Sequence, residues 1–196
     1  MLEISITILG LLQGIFAMLN KRINWIFYAA QMALLTVFSW IAHLYGDTFQ
    51  NFCYFFICIV GYFMWKKDLI ADKITVLSFS NRIIWLLLTL TITISGGLLL
   101  SNTDDPLPYV DSFTSTTTMV GILLMMEHKL ETWIVWFFND IAYMYQYFNL
   151  PDQALYLFAL YCIWTIMAII SFINWAKIYK NEKNNPNVVF STVPEL

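Results

Sequence analysis

The sequence predicts an all-α integral membrane protein of seven transmembrane helices, on the strength of its composition, the placing of its charge-free runs and the side on which its positive charges fall. Of 196 residues, 60% are hydrophobic and 12% charged, with a mean hydropathy of +0.67. A soluble domain is about 45–50% apolar and about 25% charged, so this chain has too little polar surface to coat a water-soluble globule. Those numbers exclude a soluble enzyme and a disordered regulator. The net charge of -3 and pI near 5.2 leave no basic surface for a polyanion, so no nucleic-acid partner is expected. Cys53, Cys58 and Cys162 sit within apolar runs and read as small hydrophobes.

Segments free of Asp, Glu, Lys and Arg run Ile4–Asn20, Ile23–Gly46, Thr48–Trp65, Ile83–Thr103, Ser112–Met126 and Gln153–Ala176. A helix needs roughly 20 residues to cross a bilayer. A further stretch, Thr132–Phe148, is apolar except for Asp140 and completes the set. Ser112–Met126 is short for a span, and the charge distribution decides in its favour. With seven helices, all ten Lys and Arg fall on one side: Lys21 and Arg22 after helix 1, Lys66, Lys67, Lys73 and Arg82 after helix 3, Lys129 after helix 5, and Lys177, Lys180 and Lys183 after helix 7. The other side receives Glu3, Asp47, Asp104, Asp105, Asp111 and Asp152. The positive-inside rule then puts the N-terminus outside and the C-terminus in the cytoplasm. Helix 1 has neither a basic leader nor a small-residue cleavage site and reads as retained. The tail from Lys177, with Asn184-Asn185-Pro186-Asn187, reads as polar and frayed.

The chain also repeats. A shift of 108 residues sets Trp25 on Trp133, Lys21 on Lys129, Tyr28 on Trp136 and Gln31 on Asn139. Further on, a shift of 110 sets Ile59 on Ile169, Tyr62 on Phe172, Trp65 on Trp175 and Lys67 on Lys177, the extra residues fitting the turn Asn149-Leu150-Pro151-Asp152. Chance similarity between apolar stretches is the competing explanation. Helices 1–3 and 5–7 start on the same side only if one helix separates them, and helix 4, Ile83–Leu100, is that inversion linker. The expected organisation is a 3+1+3 parallel repeat: residues 4–65, a linker helix at 81–101, residues 112–177, and a polar cytoplasmic tail at 178–196.

Several of these residues carry a family resemblance. Asn24-Trp25, Tyr45-Gly46-Asp47, Gly61-Tyr62-Phe63-Met64-Trp65 and Glu131-Thr132-Trp133-x-x-Trp136-x-x-x-Asp140 resemble the bacterial Pnu (PnuC-like) vitamin transporters, nearest to those for nicotinamide riboside. The similarity spans about residues 4 to 177, and Trp-x-x-Trp-x-x-x-Asn/Asp on helix 6 is its most specific part. The chain departs from the family's usual Gly-Trp-Tyr-x-Trp at the end of helix 3. The resemblance implies a fold related to the SWEET sugar transporters, a homotrimer in the inner membrane, and facilitated diffusion of a vitamin precursor followed by intracellular phosphorylation.

Helix 6 supports a binding role without the resemblance. At 100° per residue from Trp133, Trp136 falls at about 300°, Asn139 at about 240°, Asp140 at about 340° and Tyr143 at about 280°, one broad face of aromatic platforms, an amide and a carboxyl. An ionisable group at mid-span costs at least about 2.5–3.5 kcal/mol, so Asp140 is expected to face the bundle interior or a wet cavity. The alternative for Asp140 and Asn139 is an interhelical hydrogen bond. Trp25, Trp65, Trp85, Trp133 and Trp175 lie near helix ends, where Trp also serves as an interfacial anchor. Trp136, a turn deeper, offers an indole face that attracts a flat cation such as a pyridinium.

Helix 2 carries the counterpart stripe, Trp25, Tyr28 and Gln31, so Gln31 is expected to face Asn139 across a pseudo-two-fold site. Gln50 and Asn51 in helix 3, with Gln13 and Gln146, are further intramembrane polar groups that need partners. Thr116, Thr117 and Thr118 either give hydroxyls to a ribose, Thr117 being the chosen candidate, or bond their own i−4 carbonyls. The substrate-binding candidates are therefore Trp133, Trp136, Asn139, Asp140, Tyr143, Tyr28, Gln31, Gln50, Asn51 and Thr117.

Other chemistry lacks its parts. His43 and His128, the only histidines, fall on opposite sides of the membrane, so no His-based metal or catalytic pair is expected. Gly96-Gly97 is the only glycine pair and no phosphate-binding glycine motif occurs, so neither a cofactor nor ATP hydrolysis is expected and the chain is not read as an enzyme. The leading reading is a facilitator for nicotinamide riboside. The alternatives are a transporter of another precursor such as thiamine, proton-coupled through Asp140, and a non-transporting scaffold.

Overall fold

Each charge-free run, and the run holding Asp140, forms one helix in the computed structural model: α1 (Leu2–Met18), α2 (Asn24–Ile41), α3 (Tyr45–Met64), α4 (Phe79–Leu100), α5 (Pro108–Met126), α6 (Thr132–Asn149) and α7 (Leu155–Asn184). The structure describes residues 2–41, 45–65, 73–103, 105, 107–149 and 155–184. His43, Lys66, Lys67, Asp104, Leu150-Pro151-Asp152 and the tail from Asn185 lie outside the described residues, as do the side chains of Glu3 and Asp47.

Helix ends depart from the charge-free limits where local chemistry overrides hydropathy. α4 starts at Phe79 because Ser78 caps it, its side chain accepting from the Asn81 N–H at 3.2 Å. α5 starts at Pro108, with Pro in the first turn and Asp111 favourably placed against the helix dipole. The largest difference is α7. Its helix continues past Lys177 to Asn184, where a frayed tail was expected. Ala, Lys and Glu are good helix formers, and Lys183 in the last turn suits the negative end of the dipole.

Two of the described helices, Phe79–Leu100 and Phe158–Asn184, are by themselves long and apolar enough to cross a membrane, and Ile4–Met18 and Gln50–Met64 are shorter apolar stretches. α2, α5 and α6 spend positions on amides, hydroxyls and an acid, which lowers their hydropathy. α5 buries eleven residues and has its threonines inside. α4 does the reverse: Ile84, Leu86, Leu87 and Ile94 are each more than half exposed. An apolar surface of that extent belongs against hydrocarbon rather than water.

Backbone contacts divide the chain into two units, Met1–Lys73 with Lys180–Leu196, and Ile74–Tyr179. In the first unit α1 ends on Asn20 at φ 52°, with Lys21 N–H donating to Phe16 O at 2.8 Å and Asn20 N–H to Ala17 O at 2.9 Å. In the second, α5 ends on His128 at φ 52°, with Lys129 N–H donating to Leu124 O at 2.9 Å and His128 N–H to Met125 O at 3.0 Å. Both are Schellman closures on a left-handed residue, and they stand 108 residues apart. The helix that follows opens on the same backbone bonds, Asn24 N–H to Lys21 O at 3.0 Å and Thr132 N–H to Lys129 O at 3.1 Å. Indole pairs recur as well. Trp25 meets Trp65 edge to face at 5.7 Å and 87°, and Trp133 meets Trp175 at 5.4 Å and 86°.

The two turns are fastened differently. In the first unit Arg22 Nε donates to Tyr62 O at 2.6 Å and its guanidinium lies 3.9 Å over the Tyr62 ring, capping the end of α3. In the second unit the segment before α4 lies against the α5–α6 turn. Thr75 N–H donates to His128 O and Leu130 N–H to Thr75 O, both at 2.9 Å, while Ile74 and Leu77 are buried. Glu131 holds the far end, accepting from Leu77 N–H at 3.1 Å and pairing with Arg82 at 2.7 Å. α4 then packs on α5 through Gly96 and Gly97, where a Cβ would collide with Ser112 and Tyr109; the glycine pair permits close helix approach.

Glu131→Ala leaves the buried Leu77 N–H unpaired and is expected to cost about 1–3 kcal/mol in detergent unfolding. Arg82→Ala removes only a half-exposed ion pair and is expected to cost less than about 1 kcal/mol. Equal losses would mean that the backbone bond contributes nothing. His128 provides a pH test. Its burial, partly offset by a bond with the Met126 carbonyl, lowers its pKa to about 4 from the ordinary 6.5. Between those values the unfolded chain holds one more proton, so stability is expected to fall on acidification through that window by up to about 3 kcal/mol. His128→Asn keeps a residue suited to the left-handed conformation and should flatten that slope; an unchanged slope would assign it to other groups.

Candidate functional site

α6 carries the densest group of candidate residues, and all its contacts described here lie within the second unit. Trp133, Asn139 and Asp140 are buried, Trp136 and Tyr143 half-buried, while Ile134, Phe138, Ile141 and Tyr145 on the far side are exposed. The single broad face expected from helical angles divides in two. Thr132, Trp136 and Asn139 turn to α5: the Thr132 hydroxyl donates to Gly121 O at 2.8 Å, and a Cβ on Gly121 would lie 2.9 Å from the Trp136 indole. Trp133 and Met144 turn to α7, Trp133 against Trp175 and Met144 with its Sδ 3.5 Å from the Thr165 hydroxyl. Tyr143 also reaches α7, stacking on Tyr161 at 4.5 Å. Asp140 shares the Trp133–Met144 stripe by its angle.

Asn139 is engaged with α5. Thr117 Oγ1 lies 2.7 Å from Asn139 Oδ1 and 2.6 Å from the Phe113 carbonyl, and Asn139 Nδ2 lies 3.4 Å from Thr118 Oγ1. One hydroxyl proton cannot serve both acceptors of Thr117. Turning the carboxamide over, so that Nδ2 donates to Thr117 and Oδ1 accepts from Thr118, satisfies every group. Thr116 bonds back to Ser112 O at 2.7 Å. Thr116 and Thr117 thus bond their own i−4 carbonyls, and Thr117 also meets the Asn139 side chain.

Asp140 differs. It is 2% exposed and makes no hydrogen bond or ion pair among the described residues. Trp133 and Trp136 each bury an indole N–H that has no partner. Among the described residues no group of three or more His, Cys, Asp and Glu comes together to hold a metal.

The first-unit candidates are placed within their own helices. Tyr28 and Gln31 are buried on α2, Tyr28 stacking on Trp25 at 6.3 Å. Gln50 and Asn51 are half-buried on α3, Gln50 Nε2 donating to Tyr54 Oη at 3.4 Å. Met32, buried, occupies the position that Asp140 takes under the 108-residue shift, so α2 lacks the acid. Sequence reasoning missed Gly121, a lone helical glycine whose only sign was its lack of a side chain facing a Trp one helix away.

Seven helices, with α4 exposing apolar residues and α5 and α6 burying hydroxyls, an amide and an acid, are the make-up of a membrane protein. A family model described as nicotinamide mononucleotide transporter matches residues 1–177, and the chain belongs to that family of membrane transporters. The crystal structure of the vitamin B3 transporter PnuC is similar over 92% of this chain and 82% of that chain, with a TM-score of 0.74 at 22% identity, a likeness of fold. No curated protein sequence matches the chain.

Asn139→Ala and Thr117→Val are each expected to cost about 1–3 kcal/mol of stability by stranding a buried partner. The double variant should cost at least about 0.5 kcal/mol less than the two losses added together. Strict additivity in chemical unfolding would mean that the two side chains are not bonded.

Proposed function

We propose that the chain carries nicotinamide riboside, a precursor of pyridine nucleotides, across the inner membrane by facilitated diffusion, and that intracellular phosphorylation traps it. The observation that carries this reading is Asp140, a buried carboxyl with no partner among the described residues, on the helix that also carries Trp133 and Trp136. The pyridinium of nicotinamide riboside is a flat cation suited to that pair of features. The family's description names the mononucleotide, whose phosphate is dianionic. α6 holds an acid and no Lys or Arg, and every basic residue of the chain lies outside the charge-free runs, which favours the riboside.

The same reading takes the chain as a 3+1+3 parallel repeat related to the SWEETs, with the N-terminus outside, and as a homotrimer. The matched Schellman turns and indole pairs support the repeat. Facilitated diffusion is supported by the lack of a nucleotide-binding glycine motif in the sequence. The unpartnered Asp140 favours a second reading, proton coupling.

Purified protein in vesicles should take up nicotinamide riboside without ATP or an ion gradient and stop at equal concentrations. Concentration driven by a pH gradient alone would establish coupling instead. Trp136→Ala should weaken equilibrium binding by roughly 1–3 kcal/mol and Trp136→Phe by less, the range for stacking on an aromatic face. Unchanged binding by Trp136→Ala and Asp140→Asn together would remove α6 from the site.

A further inference from the structure

The face of α7 that meets α6 carries a polar group with no assigned role. Tyr161, Thr165 and Trp175 touch Tyr143, Met144 and Trp133 of α6. At 100° per residue Ala168 and Ser171 fall on the same side of α7. Ala168 is 2% and Ser171 0% exposed, whereas Ile166, Ile169, Ile170 and Ile173 on the other side are open. The Thr93 hydroxyl on α4 has no partner among the described residues and that of Thr132 crosses to Gly121 O, but Thr36, Thr116 and Thr165 turn back on the i−4 carbonyls of Met32, Ser112 and Tyr161. Ser171 does not, and its buried Oγ has no hydrogen-bond partner among the described residues.

Two groups that could satisfy each other therefore stand unbonded on facing stripes, the Ser171 hydroxyl on α7 and the Asp140 carboxyl on α6. The small side chain of Ala168 lies between the aromatic contacts that close the two ends, Trp133 with Trp175 and Tyr143 with Tyr161. The first unit shows the closed version. Gly61 holds the place of Ser171 under the 110-residue shift, and a Cβ there would lie 2.6 Å from the Trp25 ring, so the indole rests directly on the α3 backbone. α2 and α3 run close together, whereas α6 and α7 meet through their side chains. A buried donor and a buried acid left unpaired are costly unless a ligand completes them.

We propose that Ser171 is a substrate-binding residue, its hydroxyl exchanging hydrogen bonds with a hydroxyl of the ligand's sugar on the α7 side of the face that holds Asp140. This rests on the reading of α6 as the site for a ribosylated pyridinium. It assigns the sugar to α7 and the ring to the aromatic groups of α6.

The test is equilibrium binding of nicotinamide riboside and of the N-methylnicotinamide cation, which lacks the sugar, to purified parent and Ser171→Ala. The variant is expected to bind the riboside roughly 5–20-fold more weakly and the methyl cation as the parent does. Its ligand-free melting temperature should equal or exceed the parent's, because an unpartnered hydroxyl has been deleted. Undiminished riboside affinity, an equal loss for both ligands, or a lower ligand-free melting temperature would each overturn the assignment while leaving the proposed function in place. A parent that binds no riboside would instead overturn the proposed function, and this inference with it.

Discussion

In hydrocarbon an unpaired polar group has no water to turn to, and that constraint orders the interior of this transporter. Thr36, Thr89, Thr116, Thr117 and Thr165 give their protons to carbonyls one turn back. Asn139, whose carboxamide needs both donors and acceptors, is placed where Thr117 and Thr118 supply them. Against that order, Asp140, Ser171 and the indole N–H of Trp136 stand out because nothing among the described residues completes them. Other buried polar atoms without a partner among the described residues lie elsewhere, the Trp25 indole N–H on α2 and the Thr93 hydroxyl on α4 among them.

The two units solve one local problem in the same way and then diverge. Each must reverse the chain in a few residues at a membrane surface. Each does so with a left-handed residue, Asn20 or His128, and the same pair of closing hydrogen bonds. Asn accepts that conformation at little cost; His128 compensates by burial and by stacking on Trp175 at 6.1 Å. Beyond the turn, Gly61 lets Trp25 seat on α3, while the second unit has Ser171 in the position that corresponds to Gly61. The divergence places an acid on α6 where α2 has Met32.

The absence of charge made the seven helices legible in the sequence, because charges in hydrocarbon are costly at any position. Helix ends were less legible, since they depend on single residues: a capping Ser78, a Pro108 in the first turn, and lysines that extend α7 as readily as they would a loop. The α6 stripe was visible as a face, but Asn139 and Asp140 are about 100° apart. That angle leaves Asn139 against α5 and puts Asp140 on the stripe that Trp133 and Met144 share. Ser171 was not visible at all, because a helical serine ordinarily bonds its own backbone and only coordinates reveal one that does not.

Charge also argues about what such a face admits. Once ionised, a buried carboxylate repels a second anion and attracts a cation, and low dielectric strengthens both effects. Arg22, the basic residue nearest to an aromatic ring among the described contacts, is engaged at the end of α3 by the Tyr62 carbonyl and ring. Arg82 and Lys129 are engaged by Glu131 and Thr75 at the α5–α6 turn. None of these three is left to neutralise a phosphate on the Asp140 stripe. Under the proposed function the ligand supplies its own positive charge to Asp140 and its own hydroxyls to Ser171.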